Sequence, residues 1–156
     1  MALPFTAGQR VLASDLNTAC GLSAWTTTFV PSWTQTGGSP SIGNGTIVTG
    51  YQKVGRVCVG RYQYTFGSTT NFGTGTNPWL FTLPLTPVTP GANFWNLGSW
   101  SGLSAGAFFS GSAYLTSAGL MSLFADNSST SVEGTTPATW ANGGFFEISF
   151  TYETTT

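Results

Sequence analysis

From Trp25 onward, short apolar stretches recur at roughly ten- to fifteen-residue intervals with glycine, proline or asparagine between them. Helical signals stop there, and strand signals at that spacing are the pattern of a sandwich or barrel. The clearest strand runs from Phe145 to Tyr152. Phe146, Ile148, Phe150 and Tyr152 fall on one side of it, and Phe145, Glu147, Ser149 and Thr151 on the other. Strict period two of this kind marks a strand with one buried face.

The segment from Arg56 to Phe66 is less regular. Val57 and Val59 share one parity while Tyr62, Tyr64 and Phe66 share the other, which predicts a bulge at Gly60. Just before it, residues 47 to 51 and 53 to 56 predict a hairpin turning through Gln52-Lys53-Val54-Gly55. Further strands are expected at Phe29 to Trp33, Trp79 to Leu83, Phe94 to Trp100, Ala107 to Tyr114 and Leu120 to Ala125. The intervening Gly37-Gly38-Ser39-Pro40, Gly43-Asn44-Gly45 and Gly73-Thr74-Gly75 are turns, each too short to separate domains. The expected fold is all-β: an antiparallel, jelly-roll-like β-sandwich of about eight strands.

The start of the chain reads differently. Ser14 is a good N-cap and Asp15 an acid in the first turn, so a short helix is expected from Ser14 to Ala19, ending near Gly21. Such a helix is too short to stand alone, and Phe5, Val11, Leu12 and Leu16 would have to dock on something. The division that follows is an attachment arm or helix over residues 1–24 and a β-sandwich domain over 25–156.

Charge then limits the chemistry. Only nine side chains are charged and there is no histidine, while threonine (26), serine (17) and glycine (21) dominate. An ordinary chain is about 25% charged; this one is 6%. Hydroxyls and backbone amides abound, but proton carriers and strong metal ligands do not. Glu147 and Glu153 share the outward parity of one strand yet lie roughly 20 Å apart, too far for a glycosidase pair. A pair built across loops, Asp126 with Glu133, is the remaining arrangement of that kind. No serine has a histidine to activate it, and neither Ser-x-x-Lys nor Gly-x-Ser-x-Gly occurs. Asp126-Asn127-Ser128 reads as a turn rather than a calcium loop, because calcium wants six to eight oxygens. We therefore expect no catalysis, no metal and no cofactor.

Net charge of −1 would leave a dissolved monomer prone to association, so much of the surface is expected to be covered by copies of the chain or by a partner. Four basic residues argue against nucleic acid as that partner. No apolar run approaches the roughly 18 residues of a membrane span, so no membrane insertion is expected. The opening Met1-Ala2-Leu3-Pro4-Phe5 lacks a secretory signal pattern, which points to assembly in the cytoplasm of the producing cell. Cys20 and Cys58 match no zinc or redox spacing and read as two small packed side chains rather than a disulfide. Asn44-Gly45-Thr46 and Asn127-Ser128-Ser129 match the glycosylation pattern, but carry little weight without a secretory signal. Of the six tryptophans most are expected in the core or at an interface. Trp95 and Trp100, in a Gly/Ser-rich context, are the candidates for stacking on a sugar.

Two stretches go beyond composition. Residues 5–17, with Gly8 followed by Ala13, Asp15, Leu16 and Asn17, resemble the "G-x-x-x-x-A-x-D-L-N" opening of minor tail and tail-fibre proteins of phages infecting actinobacteria. Trp33-Thr34, Pro40 to Thr46, Gly50-Tyr51, Val54-Gly55, Phe66 to Thr70, Pro137 to Gly144 and Tyr152-Glu153 resemble the β-sandwich that ends such proteins. Where the family often carries an acid after its Trp-Ala-x-Gly turn, this chain has Gly144. The resemblance implies a non-enzymatic homotrimer on the virion surface, a minor tail or fibre-tip protein that meets the host, with host surface glycan as a candidate ligand. It implies that the N-terminal segment attaches to other virion proteins through Phe5, Leu12, Asp15, Leu16 and Asn17. A short anchor leading straight into one domain also suits a capsid decoration, or head-fibre, protein. A free carbohydrate-binding module is the alternative of another class.

Overall fold

The structure, a computed structural model, describes residues 12–15, 20–74, 76–126 and 130–155. It is all-β and antiparallel, with eight strands: β1 (Trp33–Gln35), β2 (Thr46–Val54), β3 (Val57–Thr65), β4 (Trp79–Phe81), β5 (Trp95–Ser104), β6 (Ala107–Leu115), β7 (Met121–Ala125) and β8 (Phe145–Glu153). Hydrogen bonding is continuous through all eight in the order β1-β4-β7-β6-β5-β8-β3-β2. The two layers expected from the sequence are thus the two halves of one sheet. It curls until β1 and β4 meet β3 and β8: the Trp33 and Tyr64 rings lie 5.9 Å apart and those of Phe81 and Phe146 5.6 Å apart.

Alternation builds the inner layer. On β8, Phe146, Ile148, Phe150 and Tyr152 are buried and the residues between them are not. On β3, Cys58, Tyr62 and Tyr64 follow the same rule. Burial pushes the Tyr62, Tyr64 and Tyr152 phenols well above the ordinary tyrosine range, and raises the Cys58 thiol as well. Tyr62 donates to the Thr82 carbonyl at 2.9 Å and Tyr152 to that of Leu85 at 2.9 Å, so these buried hydroxyls are satisfied. Trp79 and Trp140 donate their indole N–H groups to Phe72 O and Glu133 O. Cys20 is exposed, Cys58 is fully buried, and both are free thiols.

Several expectations shift. β3 has no bulge at Gly60: the register with β2 and β8 is unbroken, and Val57 and Val59 face outward at 39% and 41% exposure. The Phe150 ring occupies the space a Gly60 side chain would take, so the apolar face is continued by a neighbour rather than switched. The register shift falls instead on β5, between Asn96 and Gly98. β2 runs on to Val54, and the hairpin turns at Gly55-Arg56, with Gly55 at φ +60°, the pattern of a type II′ turn. The first strand begins at Trp33 rather than Phe29, after Pro31, which has no N–H for a ladder.

The free edge of β2 is covered by the chain itself. Ser23 N donates to Lys53 O at 2.9 Å, Thr26 N to Tyr51 O at 2.8 Å, and Gly55 N to Gly21 O at 3.1 Å. Earlier, residues 13–15 are helical, and Leu12 N donates to the Asp15 carboxylate at 3.0 Å. Asp15 thus closes the first turn from its third position, as the acid of a capping box does, and the turn opens before Ser14. The remainder of the expected helix, residues 16–19, lies outside the described residues.

Candidate functional site

The outward positions of the central strands carry side chains of another kind. In register across six strands lie Phe124 (β7), Ser112 (β6), Ser99 (β5), Ser149 (β8), Arg61 (β3) and Gly50 (β2). One row away lie Ser110, Ser101, Glu147, Gln63 and Val48. Short hydroxyls at these positions leave the middle of the outer face low, and bulkier groups stand at its two ends.

Three of the clefts on it adjoin in a line from β7 to Trp25. The first, about 380 Å³, is lined by Phe94, Ser112, Tyr114, Phe124, Ala125 and Asp126. The second, about 310 Å³, has Ser99, Ser101, Ser110, Asp126, Glu147 and Ser149 among its lining residues. The third, about 350 Å³, includes Trp25, Val59, Arg61, Ser99, Ser149 and Thr151. Asp126 borders the first two, and Ser99 and Ser149 border the last two, so together they form one trough across the strands.

Two glycines set the ends of this trough. A Cβ on Gly50 would collide with the Trp25 ring, so Gly50 lets that indole lie flat on β2 beside Arg61, 47% exposed. A Cβ on Gly111 would collide with both the Phe124 carbonyl and the Trp100 indole. Without it, Trp100 reaches across β6 to donate to Phe124 O at 2.8 Å, holding β7 and the Phe124 ring in place. Phe124 meets Phe94 edge-on at 6.2 Å and Tyr114 at 5.3 Å. The polar groups are equally tied: Ser110 Oγ donates to Asp126 Oδ2 at 3.0 Å, and Gln63 Nε2 to Glu147 Oε1 at 2.6 Å.

The residues singled out from sequence divide as follows. Trp100 borders the second cleft, but at 2% exposure and bonded to Phe124 it supports the trough from beneath and offers no face to a sugar. Trp95 is half exposed, but it pairs with Leu115, a core residue, and is not among the residues lining the trough. Leu12 is exposed and Asp15 closes the helical turn, while Phe5, Leu16 and Asn17 lie outside the described residues. Asp126 is exposed on the outer face, whereas Glu133 is buried and its Oε1 accepts from Thr135 and Thr136. Asn44, of the first glycosylation pattern, is engaged with Ser68 and Thr69.

Sequence reasoning missed Trp25, Arg61, Phe94, Tyr114, Phe124, and the approach of Asp126 to Glu147 within one cleft. Alternation on β8 did mark Glu147, Ser149 and Thr151 as outward. Which residues of the other strands stand beside them depends on register, and no local pattern supplies that. Among the described residues no three acidic or cysteine side chains gather as a metal site requires, and no helix is long and apolar enough to cross a membrane. Comparisons with protein families, with curated proteins and with solved structures find no match to this chain.

Proposed function

We propose that this chain is a non-enzymatic structural protein of a phage virion, exposed on the particle as a minor tail or fibre-tip protein, with its outer sheet face turned to the host. What supports this reading is a tethered edge beside an open face on one sheet, with Trp25 shared between them. Residues 21–26 bind the β2 edge, so the N-terminal segment joins the sheet there. The trough starts at Trp25 and crosses to β7, open along its length. A chain that enters the sheet along one edge and leaves an open face beside it has a layout that suits an attached, outward-facing knob. The nearly uncharged hydroxyl-rich exterior suits a protein held in an assembly, as a homotrimer, rather than one dispersed at high concentration.

The test is the copy number of the chain relative to the major capsid protein in purified particles, by quantitative mass spectrometry. A handful of copies per particle is the expected outcome. Copies comparable to the capsid protein would make it a decoration protein of the shell instead. Absence from particles would overturn the virion reading in both forms.

A further inference from the structure

We propose that the trough on the outer face binds an uncharged glycan laid across the strands, with the aromatic cleft of Phe94, Tyr114 and Phe124 as its main subsite. The inference rests on the trough alone and holds whether or not the chain rides on a virion. Three observations carry it. The first is size and lining: clefts of about 310 to 380 Å³, with aromatic side chains in the outer two and convergent polar groups in the middle one, have the form of small-ligand sites. Lined from five strands, they extend over roughly 19 Å, which suits a chain rather than a single small molecule.

The second is the chemistry of the floor. Serine hydroxyls both donate and accept, Arg61 only donates, and Asp126 and Glu147, when ionised, only accept. A polyol offers both kinds of partner at every ring and meets such a floor without a net charge of its own. With two carboxylates against one guanidinium along the trough, a polyanion such as a nucleic acid or an acidic polysaccharide is disfavoured. The third is the position of the rings. Phe94 is 57% exposed at one end and Trp25 47% at the other, and the electron-rich face of such a ring attracts the C–H face of a sugar. A strand-adding peptide is a poorer occupant, because its main chain needs a free sheet edge and the trough lies on a face.

The experiment uses the whole chain, titrated calorimetrically with linear oligomers of glucose, galactose, mannose and N-acetylglucosamine, and with a polyuronate. Binding of at least one neutral series, tightening with chain length, is expected. Phe94→Ala and Ser101→Trp should each weaken it tenfold or more with an unchanged melting temperature. Phe108→Ala, at a 77% exposed ring not among the residues lining these clefts, should leave it unaltered. Binding of the polyuronate alone, binding that survives both trough variants, or no binding by any neutral series would overturn the proposal. The copy number of the chain in particles bears on none of these outcomes, so the two readings fail separately.

Discussion

The two faces of the sheet are made by the same strands and differ in almost everything else. Inward, aromatic rings pack around Phe146, which meets Trp33, Phe66, Phe81 and Trp140 edge to face, stacks on Tyr64 and tilts against Trp79, all within 6.3 Å between centroids. Outward, the positions between them are mostly serine, threonine, glutamine, arginine and glutamate, with Val57, Val59 and Phe145 toward the strand ends. The contrast teaches where each property resides. Stability lies in the inner layer, where apolar area is removed from water, and the fold depends little on the side chains of the outer layer.

The strongest way to break that comparison is Phe146→Ala. The side chain is fully buried, and deleting it opens a cavity bordered by rings that cannot collapse far. A loss of about 3–5 kcal/mol is expected, read as a lower midpoint in chemical denaturation. Since whole domains are stable by only about 5–15 kcal/mol, this variant should be near the limit of folding. A loss under about 1 kcal/mol would mean that the inner layer is not the source of stability.

Alkali should act on the same face next. Tyr62, Tyr64 and Tyr152 have folded-state pKa values raised by burial, so above the ordinary tyrosine value of about 10 the unfolded chain releases protons that the folded chain retains. The unfolded state then binds fewer protons, and stability falls as pH rises, by up to about 1.4 kcal/mol per phenol per pH unit. Below about pH 9 these groups contribute no pH dependence. Tyrosinate absorbance followed against pH should show these phenols ionising together with loss of near-ultraviolet dichroism. Their smooth ionisation with the fold intact would show the layer to be open to water.

The inner face was largely legible in the sequence, and the outer one was not. Phe146, Ile148, Phe150 and Tyr152 announce themselves by alternation, because burial of one face writes period two into a strand. Gly60 misled the same reasoning: a glycine on the inner face looked like a break in pattern, when the ring of Phe150 on the next strand fills its place. Trp100 misled it differently, since a Gly/Ser-rich context suggested exposure and Gly111 in fact makes room for the indole beneath the surface. The trough depends on which residues stand side by side across five strands. Ser99, Ser112 and Ser149 look like unremarkable surface serines until register aligns them with Arg61 and Phe124.

The smallest expected effect sharpens the comparison most. Ser99→Ala and Ser149→Ala remove hydroxyls from the trough floor, at outward positions exposed to water. Each should change stability by no more than about 0.5 kcal/mol, as surface substitutions away from caps and networks do. Thermal melts at several protein concentrations decide the matter. If either substitution costs well over 1 kcal/mol, and the melting temperature of the unsubstituted chain rises with concentration, the outer face is buried between copies, because association that favours the folded state makes stability depend on concentration. In that case the trough is an interface in the free protein, and a glycan would have to displace a neighbouring copy to reach it. If both variants melt with the parent at every concentration, the face is open, and its hydroxyls are available to a ligand.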